Sequence, residues 1–159
     1  MSMADTYIIF ELDGAAFGVR SSDVQHVEML EHITPVPNTA PAVDGVVFSR
    51  GQVFPALNLR VRFGLPRIAN TGSTRLIFLK VQQRVVALIV DTAREFQRIP
   101  AGSIRPVEET LVGIAGNYVE GVTTVKGRSV LILDVGAVLT LEETTLPPGS
   151  ESLSTPTAS

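Results

Sequence analysis

The chain carries two histidines, His26 and His32, with Glu28 and Glu31 close by in sequence. A histidine beside a carboxylate can ligate a metal or act as a general base. A metal centre needs three or four converging ligands, and two histidines with scattered acids do not supply a ligand-spaced set. Neither histidine accompanies a Gly-x-Ser-x-Gly elbow, so a serine triad has no support. The stretch "GIAGNYVEG" is rich in glycine but lacks the Gly-Lys-Ser/Thr of a phosphate loop. Glu108 and Glu109 are adjacent, and neighbouring acids need not converge on one bond, so they read as a solvated turn. The absence of cysteine removes disulfides, thiolate metal sites and thiol nucleophiles. No catalytic residue, metal or cofactor is therefore expected.

The arrangement left with chemical content is Arg50-Gly51, a charged step between the apolar runs "VDGVVFS" and "QVFPALN". A guanidinium offers a rigid fork of donors that suits a carboxylate or a carbonyl. Arg50 could present that fork to a partner, or hold its own turn through backbone carbonyls. Burial without a counter-charge is costly, so the side chain should face solvent or a partner. Gly51 supplies the positive φ that a tight turn requires.

The elements that position this turn are short and β-rich. "YIIFEL" and "FGV" flank Asp13-Gly14, which marks a hairpin. "VQHVEML" places Val24 and Val27 at a spacing that fits helix or strand. "ITPVPNTAP" carries three prolines and reads as an extended connector. "DGVVFS" and "QVFPALNL" form a second hairpin, and Asn58 is placed to cap a short helix over "LRVRFG". "RLIFLKV" and "RVVALIV" make another hairpin across Gln82-Gln83, and "TAREFQRIP" a further strand ending at Pro100. A last hairpin, "AGNYVEGVTTV" with "RSVLILDV", leads to a helix capped by Asp134. The segment after Glu142 is rich in Ser, Thr and Pro, and residues 144–159 are expected to be disordered.

These elements repeat. Val43 to Phe63 aligns without a gap on Val119 to Leu139, an offset of 76. Val43, Gly45, Val46, Gly51 and Leu57 meet identical residues, Arg50 meets Lys126, and Asn58 meets Asp134. Gly127 is thus a second structural turn glycine. The earlier hairpins align at an offset of 69, with "YIIFEL" on "LIFLKV". Each half reads hairpin, strand, connector, hairpin, short helix. Five short strands suffice to close a small barrel.

Composition narrows the classes further. With 159 residues, 45% of them hydrophobic, the chain can bury a core without metals or staples. A net charge of −3 with scattered Lys and Arg gives no footprint for nucleic acid. The N-terminus lacks a signal-peptide pattern. The longest apolar run, Val85 to Val90, falls far short of a bilayer span of about 20 residues. A soluble, cytoplasmic protein without direct membrane insertion is the expectation.

"VDGVVFSRGQVFPALNLRVRFG", "RVVALIVD", "SIRP" and "NYVEGV" occur in this order, and together they resemble the CheW family of chemotaxis coupling proteins. The resemblance covers roughly Thr6 to Leu141. It implies an all-β fold of two intertwined five-stranded SH3-like barrels with short helices and a hydrophobic core between them. The domain would span residues 6–141, with repeats near 16–66 and 76–141 and strands partly exchanged. The implied role is adaptor, not enzyme: a cytoplasmic scaffold recruited to membrane-associated receptor arrays. It would bridge the cytoplasmic tip of a chemoreceptor (a methyl-accepting chemotaxis protein) to the regulatory domain of the histidine kinase CheA.

By motif match, the receptor groove would include Val24, His26, Val27, Arg50, Gly51 and Val86. Arg105 and Thr110 would mark a kinase or ring contact. Three departures are specific to this chain. His26 stands where an acid is common, Phe48-Ser49 replaces an Asn-Leu pair before Arg50-Gly51, and Thr110 replaces an aromatic residue found in some members. They point to a divergent or alternative chemosensory pathway, such as one controlling pili or a cyclic-dinucleotide enzyme. A different class, a small ligand-binding or catalytic barrel, would need convergent polar groups in the cleft between barrels, where the sequence offers chiefly Val, Leu and Ile.

Overall fold

The computed structural model describes residues 4–107 and 117–139. Thr110, Glu108-Glu109 and the C-terminal segment 144–159 lie outside them. Ten strands dominate: β1 (Ala4–Leu12), β2 (Ala15–Arg20), β3 (Val24–Met29), β4 (Val43–Ser49), β5 (Gln52–Asn58), β6 (Arg75–Val81), β7 (Arg84–Val90), β8 (Thr92–Pro100), β9 (Val119–Val125) and β10 (Arg128–Leu133). Two four-residue helices, α1 (Leu59–Arg62) and α2 (Val135–Val138), follow β5 and β10. Both caps expected from the sequence form. The side-chain oxygen of Asn58 accepts from the Val61 N–H, and that of Asp134 from the Ala137 N–H.

The strands make two five-stranded sheets, in the orders β8-β1-β2-β10-β9 and β3-β6-β7-β5-β4. Each sheet draws strands from both sequence halves. The hairpin β1-β2 joins β10 through a parallel pairing, and β6-β7 joins β5 in the same way. The pairing respects the internal repeat: Ile8 lies opposite Phe96, and their counterparts 69 residues away, Ile77 and Val27, lie opposite each other. The molecule therefore has approximate two-fold internal symmetry.

Alternation along the strands sorts the apolar residues into three cores. Tyr7 and Ile9 point into a cluster with Ala16, Ile99, Val130 and Ile132, inside the first unit. Leu76 and Phe78 point into the second unit, with Val47, Ala56, Ala87 and Ile89. Ile8, Phe10 and Leu12 face the opposite way and meet Ile77, Leu79, Val86 and Leu88 in a larger core between the sheets. Burial on both faces is why these strands read as nearly continuous apolar runs. Each sheet curls until its edge strands meet: Ser49 on β4 touches Glu28 on β3, and Lys126 beside β9 reaches Glu95 on β8. Each unit is thus a small barrel whose edges are not left open.

The connectors cross the edge strands closely. Thr34 bridges to Val46, and Arg105 bridges to Val122. Gly45 sits under the first crossing, with φ at +146°, and a β-carbon there would lie 2.1 Å from the Thr34 carbonyl oxygen. Gly121, its repeat mate, sits under the second, where the same atom would lie 2.5 Å from the Ile104 side chain. The recurring Gly-Val of the sequence repeat is thus a backbone crossing made twice.

An ionic clamp joins the barrels at one place. Arg60 on α1 donates to both carboxylate oxygens of Asp91 at 2.9 and 2.7 Å, and lies 3.5 Å from Asp13 in the β1-β2 turn. Asp91 links β7 of one sheet to β8 of the other and also accepts the Asp13 N–H at 2.9 Å. Burial pushes the Asp91 carboxyl up, but the Arg60 hydrogen bonds and the Asp13 N–H outweigh it and hold it below its ordinary value. The repeat counterpart of Arg60 is Gly136, so the clamp exists on one side only.

Candidate functional site

The Arg50-Gly51 turn closes the β4-β5 hairpin with φ of 52° and 78°, the left-handed pair of a two-residue loop. Lys126-Gly127 repeats it at 52° and 76°. Tight hairpin geometry forces both side chains out of the barrel, so Arg50 stands exposed at the tip. It makes no hydrogen bond or ion pair among the described residues. The reading of Arg50 as a cation that holds its own turn is therefore not the one realised.

Beside it lies a depression of about 390 Å³ lined by Gln25, His26, Ser49, Arg50, Gln52 and Phe54. His26 is half-buried, its ring stacked on Phe78 at 4.3 Å. Its Nε2 lies 2.6 Å from a Glu28 carboxylate oxygen and 3.4 Å from Ser49 Oγ, and Ser49 donates to that same Glu28 oxygen. These three residues have the types of a catalytic triad but not its wiring. A triad needs the serine on one ring nitrogen and the acid on the other. Here both partners meet one nitrogen and each other, which locks the edge strands β3 and β4 together. Among the described residues, no group of three or more potential ligands could hold a metal ion.

The other expected site residues divide by burial. Val24 is half-buried against the central core. Val27 is 37% exposed at the core's edge, beside Ile77. Val86 is 1% exposed and packs wholly within the central core, so it supports the site from beneath and presents no surface. Arg105 lies on the other barrel, exposed, where its backbone bridges to Val122 and it lines a polar depression of about 480 Å³ with Ser103, Thr124 and Ser129. The structure thus brings Val24, His26, Val27, Arg50 and Gly51 to one barrel and sets Arg105 apart.

The structure adds Phe96, Glu28 and Ser49, and the pair Phe48 and Val53, to the residues that bear on this surface. Phe96 on β8 is 67% exposed and is the repeat counterpart of Val27, bordering the central core through Ile8 as Val27 does through Ile77. The offset of 69 would have found it. Glu28 and Ser49 fix His26, and only their spatial meeting shows it. Phe48 and Val53 are cross-strand partners and both exposed, an apolar pair on the hairpin that carries Arg50. The hairpin thus presents an exposed apolar pair on the strands that carry an unanswered cation, a surface suited to an amphipathic helix rather than to an enclosed small molecule. No helix among the described residues is long and apolar enough to cross a membrane.

Comparison with known proteins agrees with this architecture. The solved structure of scaffolding protein TtCheW from Thermoanaerobacter tengcongensis superposes with a TM-score of 0.80, at 25% identity, over 91% of this chain and 99% of that one. Chemotaxis protein CheW of Klebsiella aerogenes is 29% identical over 145 residues, covering 91% of this chain and 87% of its own. Chemotaxis protein CheW of Helicobacter pylori is 30% identical over 140 residues, covering 85% and 84%. Residues 6–143 match the CheW-like domain, and the chain belongs to that family.

Proposed function

We propose that this protein is a non-catalytic coupling protein of a chemosensory array, working in the cytoplasm at membrane-associated receptors. One surface, built on Val24, Val27 and Phe96 beside Arg50, takes the helical signalling tip of a chemoreceptor. A separate surface on the other barrel, near Arg105, meets the regulatory domain of the histidine kinase CheA. The observation that carries the reading is the exposure of Val27 and Phe96, each paired to a strand residue of the central core, together with an arginine that nothing in the described chain neutralises. It is supported by relatives named as chemotaxis proteins and by a structural neighbour named as a scaffold. The unproductive wiring of His26, Glu28 and Ser49 supports a binding role over turnover.

Pairwise titration tests this. The purified chain is mixed with a receptor signalling-tip fragment and, separately, with the CheA regulatory domain. Saturable binding to each is expected, with either partner failing to displace the other. Binding to neither by a folded sample would overturn the proposal, and mutually exclusive binding would overturn the bridging role.

A further inference from the structure

The two halves carry corresponding surface depressions, and only the second has its cations answered within the chain. The second, of about 210 Å³, places Glu95, Lys126, Arg128 and Val130 where the first has His26, Arg50, Gln52 and Phe54, at the offsets of the internal repeat. Both hairpin tips have the same backbone, so the two cations leave it in the same direction. In the second depression each cation is answered within the chain. Lys126 Nζ lies 3.0 Å from Glu95, while Arg94 and Arg128 both donate to Glu11, the latter at 2.7 Å. The hydrogen bond from Arg128, with that from Arg94, outweighs partial burial and holds the Glu11 carboxyl below its ordinary value.

In the first depression the residue in the place of Glu95 is His26, which cannot answer a cation. Its ring is turned to Glu28 and stacked on Phe78. Glu28, the nearby acid, is committed to His26 and Ser49. Arg50 is left as an exposed cation in a site whose twin is completed by a carboxylate.

We propose that the depression beside Arg50 receives an aspartate or glutamate side chain from the helical partner, in the position that Glu95 occupies in the other barrel. This rests on the coupling reading above and adds the chemistry of the contact. A guanidinium fork gives two parallel bonds to a carboxylate, with a geometry that a backbone carbonyl does not match. The His26 substitution thereby moves the counter-charge from the protein to its partner, and makes an acid at the right place on the partner helix a condition of binding.

The test is a titration of the full chain with a purified receptor signalling-tip fragment, using Arg50→Ala, Arg50→Glu, His26→Glu and His26→Gln. Arg50→Ala is expected to weaken binding about tenfold, as for one lost charge-assisted contact. His26→Glu, which installs the carboxylate found at Glu95, is expected to bind about tenfold more weakly than His26→Gln, because it closes on Arg50 from within. Arg50→Glu should bind poorly and be rescued by one acid-to-lysine substitution in the fragment. Equal binding by the two His26 variants, or no rescuing position in a scan of the fragment's acids, would overturn the proposal while leaving the coupling reading intact, provided that Val27→Asp still weakens binding. A parent protein that does not bind the fragment would overturn both.

Discussion

Replacing Asp91 by alanine tests how the two barrels are held together. Arg60 is a buried cation, its side chain 11% exposed, and Asp91 gives it two short hydrogen bonds while keeping 21% of its own side chain in solvent. The substitution removes both bonds. It leaves the guanidinium with the Pro66 carbonyl at 3.1 Å and Asp13 at 3.5 Å. Stranding one member of a fully buried pair costs about 3–5 kcal/mol. Partial exposure and the remaining Asp13 place this case at the low end, about 3 kcal/mol. At roughly 3 °C per kcal/mol for a chain of this size, the melting temperature should fall by about 10 °C. Urea unfolding followed by far-ultraviolet circular dichroism measures the loss. The double variant Arg60→Met with Asp91→Leu should recover most of it, since an apolar pair removes the stranded charge. A loss below about 1 kcal/mol, or a double variant no better than the single, would refute the clamp.

Two carboxyls set a pH dependence. Asp91 and Glu11 are held below their ordinary values, so their stabilisation is complete above about pH 5 and is lost as pH falls through the folded-state values. Asp91→Asn should flatten the acid limb of the stability curve, and parallel limbs would show that Asp91 does not contribute to it. Gly45→Ala forces a β-carbon against the Thr34 carbonyl and should cost more than about 3 kcal/mol; a soluble variant melting within a few degrees of the parent would show that the connector yields. Arg50→Ala removes no contact among the described residues and should melt within about 2 °C of the parent, so a larger drop would give the side chain a structural role. Phe96→Asp should weaken receptor-fragment binding as Val27→Asp does, with little change in melting, because both side chains border the same core from symmetric edges. Unchanged affinity would remove β8 from the site.

Much of this was readable in the chain because local chemistry and global fold agree. Asp13-Gly14, Arg50-Gly51 and Lys126-Gly127 announce hairpins through their tolerance of positive φ, and Asn58 and Asp134 announce helix starts. The strand β3 was ambiguous for a definite reason. Its register shifts between Val24 and His26, and its two valines stand three apart, which breaks the period of two and mimics a helical spacing. Val86 could not be told from a surface residue, since β7 is buried on both faces and its run of apolar residues carries no alternation. Pairing between hairpins was not legible either, because β1-β2 and β6-β7 are equally apolar and only their partners decide which sheet each completes. The Arg60, Asp91 and Asp13 clamp joins residues from three distant segments and has no local signature.

The central claim is that one chain joins two others, and co-sedimentation tests it most directly. A receptor signalling fragment displayed on vesicles is mixed with the CheA kinase, with and without this protein, and the vesicles are pelleted. The kinase is expected to enter the pellet in proportion to the added protein, and Val27→Asp is expected to abolish this recruitment while leaving kinase binding in solution intact. A kinase that pellets equally without the protein, or one that stays in the supernatant although the protein itself is bound to the receptor, would contradict it.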